Sequence, residues 1–329
     1  MNIFISGATG YIGSRLAMQL AQSGHTIHAL YRDERKAAVI KHQNIRLFRG
    51  DILDLSSLAE AMYGCDQAYH TAAYAKVWQK DYMQIYRQNV EGSVKVVKAA
   101  INCGVRRIVC TSTGGVLGPS LNGDACSETT KLPDSYFIDY ECSKRIMEES
   151  LMALSGNGTD IIIVSPTRVY GPGVLSDSNG VTRIIQKYRK GNWRIIPGNG
   201  KSVGNYVYID DVVTGHISAM EKGRPGDKYI LGGEDIDYDG FFRQLAEVTG
   251  QKHYMIHIPV PLSEFIASML LLIARLSGTS PLITPALVRK YYHNWSVSSN
   301  KAKQELNYQP IDFKSGAVKT VEWLNTMNL

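Results

Sequence analysis

The stretch Met1-Asn2-Ile3-Phe4-Ile5-Ser6-Gly7-Ala8-Thr9-Gly10-Tyr11-Ile12-Gly13 decides the fold. Its first six residues read as a short buried strand, and the glycine-rich run turns that strand into a helix ending near residue 23. Gly7 permits the tight turn off the strand, Gly10 lets a pyrophosphate approach the backbone, and Gly13 lets the helix pack close to the sheet. An anion placed there meets the unpaired N–H groups and positive dipole end of the helix. The spacing is G-x-x-G-x-x-G, not G-x-G-x-x-G, and a glycine triplet alone also describes an ordinary strand-to-helix turn. Here a strand precedes it, an amphipathic helix follows, and a second apolar strand comes next, at 26–30.

The alternation continues outward from that unit. Strand patterns fall at 45–49, 67–71, 107–111 and 161–164, and helical patterns at 55–62, 90–102 and 140–154. Strands and helices alternating in this way are βαβ units, so the expected fold is α/β, a doubly wound parallel sheet of the Rossmann type. After Gly171 the pattern loosens, with Gly- and Pro-rich loops at 171–173, 197–204 and 223–226. Residues 1–170 are therefore expected to form the dinucleotide-binding domain. Residues 171–329 are expected to form a smaller C-terminal substrate lobe, with segments crossing back to the main sheet. A chain of 329 residues with 44% hydrophobic residues can bury cores of that size.

Five cysteines form no C-x-x-C pair, which predicts reduced thiols rather than a disulfide frame or a metal site. The first residues read as a core strand and not as a signal peptide, so a cytoplasmic protein is expected. A net charge of +6 with no basic stripe suits an anionic cofactor and not nucleic acid.

A second constellation carries chemistry. In Tyr140-Glu141-Cys142-Ser143-Lys144 a helix places Tyr140 and Lys144 one turn apart on one face. An ammonium near a phenol favours the phenolate, which suits proton transfer to a carbonyl or from an alcohol. The same spacing also arises by accident on amphipathic helices. Upstream, the strand Arg107-Ile108-Val109-Cys110 ends in Thr111-Ser112-Thr113. Ligands of open parallel sheets bind beyond such carboxyl ends, where a hydroxyl could meet a substrate oxygen beside the tyrosine.

Together these stretches resemble the extended short-chain dehydrogenase/reductase family, also described as NAD-dependent epimerases/dehydratases. The likeness extends to Gly50-Asp51-Ile52-Leu53-Asp54, His70-Thr71-Ala72-Ala73, Asn89-Val90-Glu91-Gly92, Pro166-Thr167-Arg168-Val169-Tyr170-Gly171-Pro172 and Tyr206-Val207-Tyr208-Ile209-Asp210-Asp211. It implies catalysis by Tyr140, Lys144 and a hydroxyl. Against the family's S-S-x-x-V-Y-G pattern that hydroxyl is Thr113, with Ser112 as the alternative register. Tyr140 would donate the proton to a carbonyl oxygen as hydride arrives, Lys144 would bind the nicotinamide ribose, and Thr113 would orient the substrate oxygen. The resemblance further implies cofactor contacts from Gly7, Thr9, Gly10, Tyr11, Ile12, Gly13, Asp51, Ile52, Thr71, Ala72, Ala73, Asn89, Tyr140, Lys144, Pro166 and Val169. Asn89 also reads as an N-cap for the helix at 90–102.

The end of the second strand bears on the cofactor. An acidic residue there binds a ribose 2′-hydroxyl, whereas a cation accommodates a 2′-phosphate. The acidic position holds Tyr31, Arg32 follows, and Lys36 lies one turn on, so NADP(H) is favoured. Asp33 keeps NAD open. Pro166-Thr167-Arg168-Val169 departs from the R-x-F-N of sugar-nucleotide epimerases and dehydratases. It looks closer to the dihydroflavonol reductase and 3β-hydroxysteroid dehydrogenase branch. Gly114-Gly115, where a dehydratase would want an acidic pair, counts against dehydration.

Substrate-facing candidates are Tyr74, Lys76, Trp78, Gly114, Val116 and Tyr136. Their largely apolar character suggests a bulky, fairly apolar small molecule, although any of them could simply pack a loop. Asp210 and Asp211 read as helix caps rather than catalytic acids. The run 265–276, Phe-Ile-Ala-Ser-Met-Leu-Leu-Leu-Ile-Ala-Arg-Leu, is apolar almost all round. A buried or lid helix is the favoured reading, and a dimer surface or a peripheral membrane contact the others. A homodimer is expected. The activity expected is NADP(H)-dependent carbonyl reduction or alcohol oxidation. The alternatives are a sugar or sugar-nucleotide epimerase and a non-catalytic dinucleotide sensor.

Overall fold

The computed structural model describes residues 1–327 apart from 77, 80, 122, 176–178 and 282. Its strands are β1 (Asn2–Ser6), β2 (Thr26–Tyr31), β3 (Ile45–Arg49), β4 (Gln67–His70), β5 (Arg107–Thr111) and β6 (Asp160–Pro166), followed by β7 (Arg168–Tyr170), β8 (Ile195–Pro197), β9 (Val203–Tyr208), β10 (Lys228–Leu231), β11 (Glu234–Asp237) and β12 (Ile256–Ile258). Seven of them form one sheet in the order β3-β2-β1-β4-β5-β6-β10, with every neighbouring pair parallel. The order reverses between β1 and β4, which opens a crevice at the carboxyl ends of the strands.

Burial explains the sequence pattern. The central strands read as continuous apolar runs because helices cover both faces. Ile3, Ile5, Val109 and Ile162 point into one core with the helices Tyr11–Gln22 and Ile209–Lys222. Phe4, Ala68, Ile108 and Cys110 point into the other, against Leu55–Met62, Gly92–Asn102 and Asp139–Met152. All five cysteines are free.

Beyond β6 the chain builds a three-stranded sheet, β11-β9-β7, and a parallel pair, β12-β8. It also returns β10 to the main sheet, where Lys228 pairs with Ile163 and Leu231 with Pro166.

Three expectations are corrected here. Asn89 is not an N-cap, because the helix begins earlier, at Met83–Tyr86, passes through a π-helical turn at Arg87–Glu91 and continues as Gly92–Asn102. Asp210 and Asp211 lie inside the first turn of Ile209–Lys222 rather than capping it. Arg15 donates to Asp210 (2.9 Å from Nε) and the Ile311 N–H to Asp211 (3.0 Å). Finally, the apolar run belongs to the helix Val260–Ser277, which is not a core helix. Only Ala267 and Ala274 are buried, while Phe265, Leu272 and Leu276 are exposed. Composition alone cannot tell a core helix from an uncovered one.

Candidate active site

A cavity of about 480 Å³ opens at the carboxyl ends of the central strands. Gly7 shapes its floor with φ +75°, and a Cβ there would stand 2.5 Å from the Ala72 nitrogen. A Cβ on Gly13 would stand 2.2 Å from the Gly7 carbonyl oxygen. Gly10, by contrast, faces the cavity, and a Cβ there would meet only that carbonyl, at 3.1 Å. It is also the N-cap of Tyr11–Gln22, and no side chain caps that helix. The helix end is therefore bare toward the cavity, as a dinucleotide pyrophosphate requires.

Thr9, Tyr11, Ile12, Ile52, Thr71, Ala72, Ala73, Pro166 and Val169 line the same cavity, as do Tyr31, Arg32 and Lys36. Two expected cofactor residues do not. Asp51 accepts from Arg32 Nη1 at 3.3 Å and from the Leu53 N–H at 2.9 Å. Asn89, fully buried, accepts from the Tyr74 N–H at 2.7 Å and donates to Ser143 Oγ at 2.9 Å. It braces the loop after β4 against the helix that carries Tyr140. Asp33 lines the cavity too, and it caps the short helix Glu34–Ala37 with Oδ1 accepting the Arg35 N–H at 2.9 Å.

Tyr140, Lys144, Thr113 and Ser112 all line the cavity. The Thr113 oxygen accepts the Gly115 N–H at 3.1 Å, which leaves its own proton free to donate. Ser112 Oγ is buried and unpartnered. Lys144 is 1% exposed and donates to the Thr111 carbonyl at 2.7 Å. Burial lowers its pKa to about 8. The expected lowering of the tyrosine pKa is not seen here. Burial pushes the Tyr140 phenol above its ordinary value, and Glu141 adds to this. The physical reason is direction, since the lysine ammonium is held by the strand carbonyl.

This depressed lysine predicts a pH effect. Between about 8 and 10.5 the folded lysine binds fewer protons than the unfolded one, so its contribution to stability is fully present above 10.5 and is lost as pH falls through about 8. Lys144→Met should remove that rise from the pH dependence of urea unfolding and raise the midpoint at pH 7. An unchanged slope between pH 8 and 10.5 would refute the assignment.

On the substrate side, Tyr74 lines the cavity, but Lys76, Trp78, Gly114, Val116 and Tyr136 do not. Lys76 lies over the Tyr74 ring, Gly114 packs on Thr167, and Tyr136 donates to the buried Val116 carbonyl at 3.0 Å. Their nearness in sequence to catalytic residues said nothing of where their side chains point. The far wall comes instead from the helix Pro285–Tyr291, through Leu287, Lys290 and Tyr291, together with Ile138 and Thr167. Lys290 is ion-paired with Glu141, which is 1% exposed. Burial raises the Glu141 pKa, and Lys290 opposes the rise. Only an inward-facing acid beside Tyr140 could have signalled this pair in the sequence.

A parallel sheet with a bare helix end over its switch point and a Tyr/Lys/Thr set beside it defines a dinucleotide-dependent enzyme. The sequence profile described as "NAD dependent epimerase/dehydratase family" matches residues 3–232, and the chain belongs to that family, whose members of this type are extended short-chain dehydrogenases/reductases. Sterol demethylase protein B of Methylococcus capsulatus is 28% identical over 331 residues, covering 98% of each chain. The 3β-hydroxysteroid dehydrogenase/Δ5→4-isomerase of Mycobacterium tuberculosis is 25% identical, covering 94% of this chain and 86% of that one. In fold, the chain matches UDP-glucose 4-epimerase of Thermotoga maritima with a TM-score of 0.83 at 22% identity, covering all of both chains. The chain is thus an NAD(P)-dependent enzyme, in the branch that also holds hydroxysteroid dehydrogenases.

Proposed function

We propose that the protein is an NADP(H)-dependent oxidoreductase that reduces a carbonyl, or oxidises the corresponding alcohol, on a bulky and largely apolar small molecule. The observation that carries this reading is the far wall of the cavity. Leu287, Tyr291, Ile138 and Tyr74 line the cavity together with Tyr140, and the one cation among the far-wall residues, Lys290, is tied to Glu141. A sugar nucleotide would ask such a wall for free polar groups, whereas an apolar ring system does not. The sterol- and steroid-related names among the relatives agree with it. In this reading residues 1–170 hold the cofactor and the later residues cover the substrate.

When bound, the nicotinamide cofactor supplies or accepts the hydride. The chain's own residues do the rest. Thr113 donates its free proton in a hydrogen bond to the substrate oxygen and fixes its position. Tyr140, protonated well past neutral pH because burial disfavours the phenolate, gives that oxygen its proton during reduction. In the reverse direction it takes the proton back. Lys144, whose ammonium reaches the end of β5, would turn from the Thr111 carbonyl toward the ribose hydroxyls. Tyr74, Tyr291 and Leu287 exclude water.

The preference for the 2′-phosphate rests on Arg32 and Lys36 in the cavity wall and on the engagement of Asp33 as a cap. The Arg32–Asp51 contact is an exposed pair and gives way easily. Arg32→Ala should weaken NADP(H) by about 1.5–3 kcal/mol, the worth of a hydrogen bond to a charged group, and leave NAD(H) nearly unchanged. Fluorescence titration of both cofactors checks this, and equal losses for both would sink it.

The activity itself is tested by following NADPH absorbance with hydroxysteroid ketones and aryl ketones, beside a panel of UDP-sugars monitored for interconversion. Turnover of an apolar ketone is expected. Epimerisation of a UDP-sugar with no net cofactor use would replace this reading, and cofactor binding without turnover of any carbonyl would point to a sensor.

A further inference from the structure

The helix Val260–Ser277 presents an outward stripe of Leu262, Phe265, Ile266, Met269, Leu272 and Ile273, all of them exposed. Leu276, at the end of this stripe, is 81% exposed. Just before the helix, Tyr254 and Ile256 are exposed as well. Contiguous patches of this kind mark a contact with something apolar.

The inner face of the helix is fastened to the protein. Ala267 and Ala274 are buried, Glu264 accepts from Arg289 at 2.7 Å, and Tyr292 donates to Ser263 at 2.8 Å. The helix therefore lies along Pro285–Tyr291, whose Leu287 and Tyr291 line the cavity. Its two ends are also rooted in the folded chain, through β12, which pairs with β8, and through Pro285–Tyr291. By length and composition the helix could cross a bilayer, but its fastened face and rooted ends hold it lying on one side.

Charge decides between a bilayer and a second copy. Helices that pair through such a stripe carry charges of both signs along its flanks. Here the positions flanking it on one side are Pro261, Ser268 and Arg275. The one acid of the helix, Glu264, is engaged by Arg289. Arg275, on that flank, is exposed and carries positive charge beside the stripe. An apolar stripe with a cation beside it, on a helix whose one acid is already paired, suits an anionic lipid surface.

We infer that Val260–Ser277 lies flat on an anionic bilayer, with its outward stripe in the boundary between headgroups and acyl chains. There it brings substrate dissolved in the lipid within one helix of the cavity. The docking stands on the helix itself; the delivery of substrate rests on the apolar-substrate reading above.

The test uses the full chain with vesicles of phosphatidylcholine and phosphatidylglycerol, followed by flotation. The wild-type protein should float with these vesicles at low salt, and less at high salt. Leu272→Asp, and independently Phe265→Asp, should reduce the bound fraction about tenfold, since each withdraws one large side chain from the apolar phase. Tyr63→Asp, an exposed residue elsewhere, should not. Unchanged cofactor affinity in each variant shows that it is folded. In the second arm, Leu272→Asp should lower kcat/KM for a vesicle-partitioned ketone and leave the rate with a water-soluble carbonyl unchanged. Failure of the wild type to float, or equal flotation of the aspartate variants, overturns the docking. If Leu272→Asp instead dissociates a dimer that never bound vesicles, a second copy is the occupant and the inference is wrong. Vesicle binding with no turnover of any carbonyl would leave the docking standing and overturn the activity.

Discussion

Tyr140→Phe should lower carbonyl turnover by roughly 10²–10⁴-fold, the usual contribution of a positioned acid or base. The ring remains in the cavity wall, so the cofactor should bind as before. Two companions sharpen the result. Thr113→Val should reduce turnover more than cofactor affinity, because in the proposed mechanism its proton goes into the hydrogen bond to the substrate oxygen, while the hydrogen bond it accepts only caps a turn. Cys142→Ala, on the same helix, should be nearly silent. Stopped-flow NADPH oxidation with a ketone substrate reads all three. Near-normal turnover in Tyr140→Phe would mean the proton comes from elsewhere.

The second large effect concerns stability. Glu141 is 1% exposed and its partner is Lys290, on the helix that closes the substrate side. Lys290→Met should strand that carboxylate in a buried site and destabilise the fold by about 3–5 kcal/mol, the range for breaking a buried pair from one side. The loss depends on charge. The Glu141 pKa is already raised by burial and would rise further without the lysine. The destabilisation should therefore be largest above that pKa and fade as the pH falls and the carboxyl takes up a proton. The double variant Glu141→Gln/Lys290→Met should recover most of the loss, because no charge is then buried. Urea unfolding of the two single variants and the double, at neutral and acidic pH, measures this. A single-variant loss below about 1 kcal/mol, as for an exposed pair, would contradict the burial.

What could be read from the chain follows a physical division. The glycine cradle is a backbone requirement, and backbone requirements are written locally: Gly7 and Gly13 occupy positions where a Cβ would collide. The Tyr140–Lys144 face is legible for the same reason, since helical spacing fixes it within one turn. The parallel sheet follows from the alternation of β1 to β6. The far wall was not legible. Leu287, Lys290 and Tyr291 reach the cavity only because some 150 residues of chain fold back over Tyr140, and nothing local marks them. Trp78 and Lys76 show the converse: they are near the site in sequence, yet neither is among the residues that line the cavity. Asn89 was found for the wrong reason. Its pattern signalled importance, but its role as a brace between Tyr74 and Ser143 depends on partners 15 and 54 residues away. Of the readings for 265–276, a buried helix is the one the structure does not bear out, because hydrophobicity reports what a segment avoids and not what covers it.

The late return of β10 to the main sheet has a consequence for synthesis. During translation β6 is complete by residue 166, but its outer neighbour does not exist until residues 228–231 have left the ribosome. Through that interval β6 is an unpaired edge of buried-type residues, Ile161 to Val164, exposed to any other nascent strand. A fragment cut at 170 would keep that edge permanently and should aggregate rather than behave as a free dinucleotide-binding unit. The two parts of the chain are thus bound into one folding event by β10 and by the helix Ile209–Lys222 packed on the same sheet, and chaperone demand should be greatest while the ribosome is between them.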